Sequence, residues 1–443
     1  MRKLFGTDGI RGVAGEYPLD LKTVAKIGAA FSEVFAARLD RPPRFISGRD
    51  TRESGPAIES AFHSGAGPTG ESAGVITTPG VAYLTSRFTF DAGIVISASH
   101  NPFEDNGIKI FLPSGEKLDE KAEFDIEVRV EQVSEPRPFV TDIDSSRCNK
   151  FTSDYLDHLA ESFSELDLTG ITIVADCANG AASQFAPELF RRFNATVVAI
   201  NASPNGRNIN KDCGSLHLEK LQSAVLHEKA ALGVAFDGDA DRALFVDEKG
   251  RVVDGDATLW ILANYLKETG GLASGKVVAT VMTNIGLERA LDSVGIELVR
   301  TSVGDKYVLD ELLRCGSELG GEQSGHIILS KISKVGDGMM TALFLLEGLQ
   351  NRGERLSEAY TGVITFPQIL VNVPVKSKRP FNEVPEIAAT AADVEHKLGS
   401  EGRMLLRYSG TENLARVMIE GKNKVEIDAL ANSLADVIRK ELG

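Results

Sequence analysis

Cysteine is scarce: only Cys148, Cys177, Cys213 and Cys315 occur in 443 residues, and no two form a CxxC pair. Thiols this scattered point away from a disulfide-framed fold or a zinc finger and toward reduced cysteines. Long apolar runs are missing as well. Nothing approaches the roughly 18 consecutive apolar residues of a membrane-spanning helix. In MRKLFGTDGIRG, Asp8 and Arg11 interrupt the chain before a signal-peptide core of about 7–15 apolar residues can form. Positive charge is also short, with 48 Lys and Arg against 63 Asp and Glu and a net charge of −15. That balance argues against a general nucleic-acid coat, although a few local Arg and Lys can still dominate one cleft for an anionic small molecule. The expectation is a cytoplasmic protein with no nucleic-acid or membrane partner.

What is present describes an ordinary globular chain. Hydrophobic residues make up 42% and charged residues 25%, so wholesale disorder is excluded. At about 150 residues per domain, the length suggests about three domains. Short β-branched runs (44–50, 92–99, 171–177, 196–200, 232–238, 243–247 and 276–282) alternate with helical patterns (19–39, 152–163 and 256–269). Strands separated by helices of 10–20 residues imply βαβ units, so the fold class is α/β with parallel-leaning sheets. Three similar blocks can be drawn at 1–150, 151–253 and 254–364, the first break supported by the charged, Pro-bearing stretch 127–139. From 365 to 443 the pattern changes to a smaller α+β unit.

Four clusters could carry chemistry. In Asp237-Gly238-Asp239-Ala240-Asp241-Arg242, carboxylates at alternate positions can converge on one hard cation if the backbone turns sharply, and Gly238 would help it to turn. An EF-hand is excluded, because Arg242 stands where that loop requires glycine and strands flank it. With three short carboxylates and positions left for phosphate oxygens, Mg²⁺ suits this loop better than Ca²⁺; the alternative is a solvated acidic turn. The second cluster, Ser97-Ala98-Ser99-His100-Asn101-Pro102, ends a strand, where active groups of α/β proteins collect. No G-x-S-x-G elbow surrounds Ser99, so a Ser-His-Asp hydrolase is not indicated, and Ser99 could instead attack or carry a phosphate. His100 is adjacent in sequence, which does not aim it at the Ser99 hydroxyl. Lys109, on the next strand, offers a cation or base.

The third cluster is Arg407-Tyr408-Ser409-Gly410-Thr411-Glu412-Asn413, followed by Arg416. Two hydroxyls, free backbone N–H groups and two guanidinium groups suit a dianionic phosphate, the alternative being a polar hairpin turn. The fourth, Gly320-Gly321-Glu322-Gln323-Ser324-Gly325-His326, could grip sugar hydroxyls but is more often a plain turn. Gly6–Gly12 and Gly48–Arg52 each set Arg beside Gly and Asp, useful for anions. The stretch 270–277 imitates a nucleotide loop, but Val277 replaces the metal-binding hydroxyl and the order runs helix to strand; it is a helix C-terminal turn.

Taken together, these motifs resemble those of the α-D-phosphohexomutase superfamily from Phe5 to the C-terminal helix. Gln323, Asp176-Cys177-Ala178-Asn179-Gly180 and Gly304-Asp305-Lys306-Tyr307-Val308 resemble its amino-sugar branch. The resemblance implies four domains around a central cleft, three similar mixed α/β domains and a smaller C-terminal one. It implies interconversion of glucosamine 6-phosphate and glucosamine 1-phosphate, on the route to UDP-N-acetylglucosamine, through a phosphoserine and a glucosamine 1,6-bisphosphate. A glucose- or mannose-phosphate mutase is the rival, and a sugar-phosphate phosphatase a further one. By the resemblance Ser99 is the phosphorylated nucleophile, and one Mg²⁺ per subunit is held by Ser99, Asp237, Asp239 and Asp241. Arg11, Lys109 and His100 complete the catalytic set. Glu322 and Ser324 would hold the sugar and Arg407, Ser409, Gly410 and Thr411 its distal phosphate, with His326, Lys306 and Arg416 also binding substrate. A homodimer remains open. The chain departs from the family pattern in the glycine-rich segment 64–74, at Lys306, at Leu216 and Leu218, and at Asn413, so packing of the first domain and phosphate affinity could differ.

Overall fold

A computed structural model describes residues 4–6, 8–133, 143–409 and 413–443. The β-branched runs form strands, and short polar side chains start the helices between them. Asp20, Thr77, Asp119, Asp254 and Asp337 each accept a hydrogen bond from a backbone N–H in the first turn of the helix that follows. Such caps satisfy amides that the helix itself leaves without a partner. Contacts divide the chain into two compact units: Met1–Thr280 with Val299–Tyr360, and Val281–Leu298 with Thr361–Gly443.

The first unit contains three α/β regions. Its first sheet has six strands, in the order Phe5–Gly6, Gly9–Val13, Asp105–Phe111, Ala92–Ile96, Phe45–Arg49, Gly70–Val75. Phe45–Arg49 runs parallel to both its neighbours, while Ala92–Ile96 and Asp105–Phe111 are antiparallel. The second sheet is built the same way. Thr172–Asp176 is parallel to Thr196–Ile200 and to Leu232–Phe236, which then turns back into antiparallel Ala243–Asp247. In the third, Lys276–Thr280 is parallel to Leu319–Gly321, and Ile327–Leu329 closes an antiparallel pair. The first core gathers Phe31, Phe45, Phe62, Ile94 and Ile108, all fully buried. Each such side chain contributes on the order of 1.5–3 kcal/mol relative to exposure.

Segment 64–74 has a packing explanation. Helices Leu21–Leu39 and Gly55–Ala66 approach so closely that a Cβ on Gly65 would lie 1.9 Å from the Ala25 carbonyl oxygen, and one on Gly28 2.1 Å from that of Phe62. At Gly65 a small residue is required because two backbones meet, while a Cβ on Gly70 would lie 2.2 Å from the Phe45 ring. The charged stretch 127–139 is helical as far as Gln132, and residues 134–142 lie outside the described set. As expected, 270–277 follows a helix: Gly255–Glu268 ends and Gly270 adopts φ +73°. Among the described residues no helix is long and apolar enough to cross a membrane.

The second unit is an antiparallel three-stranded sheet, Gln368–Pro374, Leu414–Gly421, Gly402–Tyr408, with Leu414–Gly421 in the centre. Helices Pro385–Leu398 and Lys424–Leu442 supply Ile387, Val394, Leu434 and Ile438 to its core. The segment Val281–Leu298 belongs to this unit. Asn284 donates its side-chain amide to the Phe366 carbonyl at 2.9 Å, and buried Glu420 accepts from the Ile285 N–H at 3.2 Å.

Candidate active site

Ser99 lies three residues beyond the strand Ala92–Ile96, with φ at +52°. A left-handed non-glycine residue is held there at a cost of on the order of 1 kcal/mol and needs its surroundings to fix it. The Ser99 N–H donates to Ser97 Oγ at 2.9 Å, and Ser97 Oγ donates to Asp50 at 2.6 Å. Fully buried Arg52 donates to the carbonyls of Ser99 (3.2 Å) and Asn101 (2.6 Å) and pairs with Asp50. From the second sheet's region, Asn210 donates to the same two carbonyls at 2.8 and 2.9 Å.

The loop joining Leu232–Phe236 to Ala243–Asp247 meets Ser99 directly. Ser99 Oγ donates to Asp237 Oδ2 at 2.5 Å. The sharp turn was expected of Gly238, but it is Ala240 that takes the left-handed conformation, at φ +56°. Gly238 is required for a different reason. A Cβ there would lie 2.5 Å from the Ser99 carbonyl oxygen and 3.0 Å from Asn210 Nδ2. Thr78 Oγ1 donates to Asp239 Oδ2 at 2.6 Å, and the Thr78 and Gly338 N–H groups donate to the Asp239 and Ala240 carbonyls, each at 3.0 Å. Two helix N-termini therefore clamp this loop.

Asp237, Asp239 and Asp241 present carboxylate oxygens within 4.8 Å of one another, all in buried residues. Among the described residues, Oδ1 of Asp239 and of Asp241 are buried without a hydrogen-bond partner, which suits a divalent cation, since buried carboxylate oxygens otherwise find donors. Burial, then Asp241 and Asp239, push the Asp237 carboxyl well above its ordinary range. Burial also opposes ionisation of Asp239, but Lys109 and the Thr78 hydroxyl outweigh it and lower the carboxyl. Lys109 Nζ lies 3.1 Å from Asp239, 3.4 Å from Asp241 and 3.3 Å from Asp8. Those three carboxylates overcome desolvation and hold the ammonium well above the usual lysine range. Arg11 pairs with Asp8. His100 Nδ1 comes within 3.3 Å of Ser99 Oγ, and burial, with Arg242 and Arg11 nearby, lowers the ring to about 4. The Ser99 proton is already donated to Asp237, so the neutral His100 ring stands beside Ser99 Oγ without receiving it in this arrangement.

The glutamate-bearing turn links Leu319–Gly321 to Ile327–Leu329. Glu322 accepts from the Gly304 N–H at 3.1 Å and, at 3.4 Å, from the Ser324 hydroxyl. Gly325 accepts through its carbonyl from the Ala243 N–H, so this turn and the aspartate loop share one backbone contact. His326 is buried, its Nε2 3.7 Å from Asp305. Lys306 pairs with Glu120 at 3.2 Å.

In the second unit, Arg407 and Arg416 face each other across adjacent strands, and Arg416 donates to Ser409 Oγ at 3.4 Å. Burial, then the Arg416 charge, lower the proton affinity of Arg407. Lys378 donates to the Ser409 carbonyl at 2.7 Å and adds a third cation. Gly410 and Thr411 lie outside the described residues.

Four domain profiles of one family match the chain in succession. They are phosphoglucomutase/phosphomannomutase α/β/α domain I at residues 2–137, domain II at 153–250, domain III at 254–365, and the C-terminal domain at 370–437. This chain belongs to the phosphoglucomutase/phosphomannomutase family. It is 49% identical over 449 residues to the phosphoglucosamine mutase of Solibacter usitatus, covering 100% of this chain and 99% of that one. Its fold is that of a phosphoglucomutase/phosphomannomutase family protein from Burkholderia thailandensis, with a TM-score of 0.80 and 22% identity over 99% and 98% of the two chains. It is also that of Aspergillus fumigatus N-acetylphosphoglucosamine mutase, solved with GlcNAc-6P and magnesium, with a TM-score of 0.71 and 19% identity over 99% and 95%.

Several residues around this candidate site escaped the sequence reading. Arg52 was grouped with anion-binding loops, yet it is 1% exposed and braces the Ser99 backbone. Thr78, Asn210 and Lys378 gave no local signal, because each acts on a partner distant in sequence, and Asp50 was visible only as the acid of the Gly48–Arg52 stretch. Asp8 was visible only as part of a glycine-rich start.

Proposed function

We propose that this chain is an isomerase that interconverts glucosamine 6-phosphate and glucosamine 1-phosphate, relaying a phosphoryl group through Ser99. One observation carries the reading: the Ser99 hydroxyl is 2.5 Å from Asp237, in a buried trio of aspartates backed by Lys109. Phosphoryl transfer needs positioning and charge neutralisation above all, and this cluster supplies both. The sugar is inferred from the whole-length identity to phosphoglucosamine mutases, and magnesium from the A. fumigatus enzyme's complex.

In this reading Asp237, Asp239, Asp241 and the phosphate on Ser99 hold one Mg²⁺. When bound, that ion draws negative charge from the phosphoryl oxygens. Lys109 and Arg11 keep positive charge beside the transferring group, and His100 takes or returns the proton at Ser99 Oγ. Glu322 and Ser324 accept and donate to sugar hydroxyls, with His326 and Lys306 in the same set. Arg407, Ser409, Gly410, Thr411 and Arg416 are assigned to the phosphate that is not being transferred. The Ser99 O–P bond breaks as a sugar hydroxyl takes the phosphoryl group and that hydroxyl's proton ends on Ser99 Oγ; the glucosamine 1,6-bisphosphate reorients, and the other phosphate then passes to Ser99 Oγ as the serine proton goes to the sugar oxygen it leaves. The four-part division at 1–150, 151–253, 254–364 and 365–443 follows this assignment, one cluster to each part. Product on the route to UDP-N-acetylglucosamine and a cytoplasmic setting fit the same reading.

Intact-mass measurement after incubation with a sugar 1,6-bisphosphate and Mg²⁺ tests it. The proposal requires one added phosphate on the wild type and none on Ser99→Ala. Unchanged mass in the wild type would contradict it. Steady phosphate release without isomerised sugar would indicate a phosphatase.

A further inference from the structure

Lys117 follows the strand Asp105–Phe111 and was not singled out by any motif. Its ammonium nevertheless bridges two carboxylates that lie far apart in sequence. It pairs with Asp8, and at 2.5 Å with Asp305 at the start of the helix Asp305–Cys315. Asp8 is the carboxylate already shared by Arg11 and Lys109. Asp305 lies 3.7 Å from Nε2 of His326, whose ring is 3% exposed and has no hydrogen-bond partner on either nitrogen among the described residues. A chain of alternating charge thus runs from Asp239 through Lys109, Asp8, Lys117 and Asp305 to the His326 ring. Two flanking ion pairs tie the same segments together: Lys306 with Glu120 at 3.2 Å and Lys334 with Glu116 at 2.8 Å. Those two are more exposed, and exposed pairs contribute little. Lys117 is the sheltered member, its side chain 15% exposed.

We infer that Lys117 is a positioning residue that couples the phosphoserine end of the site to the sugar-binding turn, holding Asp8 against Lys109 and Asp305 against His326. The inference rests on the mutase reading above. Removing the ammonium leaves Asp8 and Asp305 without their shared cation. Asp8 then competes differently for Lys109 and Arg11, and Asp305 is released toward His326. Neither residue leaves the site, so the consequence falls on alignment during transfer more than on sugar capture.

The test is steady-state turnover of glucosamine 6-phosphate, with saturating bisphosphate and Mg²⁺, alongside melting temperatures. Lys117→Met is expected to lower kcat by about tenfold or more while KM changes less than about threefold. Lys117→Arg, which keeps the charge, should restore kcat to within about threefold of wild type. Because both partners act through one link, Lys117→Met combined with Asp305→Asn should be no worse than the worse single variant. Wild-type kcat in Lys117→Met, or an Arg variant as impaired as the Met variant, would overturn the inference. So would additive losses in the double variant. Should Lys117→Met fail to fold, Asp305→Asn cuts the same link while leaving Lys117 on Asp8, and wild-type kcat there overturns it equally. A wild-type enzyme inactive on the sugar would instead sink the mutase reading, so the two failures are distinguishable.

Discussion

The Ser99–aspartate cluster and the Arg407–Arg416 cluster handle charge in opposite ways. In the first, Lys109 is buried among Asp8, Asp239 and Asp241, and its charge is answered within the protein. In the second, two guanidinium groups face each other across neighbouring strands with Lys378 close by, and like charge lowers the proton affinity of Arg407. A site that compensates itself can stay dry and rigid, which suits chemistry. One that concentrates like charge gains most when a dianion arrives, which suits capture.

Breaking the first cluster should have the largest effect. Ser99→Ala removes the phosphate carrier, and turnover should fall by at least about 1000-fold. Its melting temperature should stay near wild type, because the Ser99 hydroxyl bonds Asp237 and stands by His100, while Ser97, Arg52 and Asn210 hold the turn through its backbone. Retained mutase activity would refute the serine route. Chelating divalent cations comes next, with an expected loss on the order of 100-fold that Mg²⁺ restores, measured in the same assay. Arg407→Ala should act on capture, raising KM for the sugar phosphate about tenfold with kcat less affected. Equal damage to kcat would erase the contrast between the clusters.

The smallest effect concerns pH and the packing of a helix on the first sheet. His63 is buried with Ser47 Oγ at 2.7 Å, and burial, against the pull of Glu59, lowers its ring to about 4. Its unfolded value is near 6.5, so the unfolded chain takes up the proton first as pH falls. Stability is therefore full above pH 6.5 and declines toward pH 4, by up to about 3 kcal/mol. His63→Gln should flatten that part of the melting-temperature profile.

Much of this site was legible because it is written in contiguous motifs. Asp237, Asp239 and Asp241 announce themselves by spacing, and Ser99 by its place after an apolar strand. Glu322 and Arg407 stand out between glycines and hydroxyls. The strands Phe45–Arg49, Ala92–Ile96, Thr172–Asp176, Thr196–Ile200, Leu232–Phe236, Ala243–Asp247 and Lys276–Thr280 were visible as β-branched runs, whereas Phe5–Gly6, Gly9–Val13 and Gly70–Val75 were hidden by glycine, which weakens any strand pattern. The supporting shell was not legible for a different reason. Arg52, Asn210, Thr78 and Lys117 matter through partners from 47 to 188 residues away, and no local period or spacing reports such contacts. Segment 64–74 reads as poor in large aliphatics, and at Gly65 the reason is the contact between two helices, which no local pattern reports.

The most direct test compares kcat/KM for glucosamine 6-phosphate and glucose 6-phosphate in a coupled assay with Mg²⁺ and sugar 1,6-bisphosphate. The account predicts formation of the 1-phosphate from both at most, with glucosamine 6-phosphate clearly preferred. Equal or better use of the glucose substrate, or phosphate release in place of isomerisation, would contradict it.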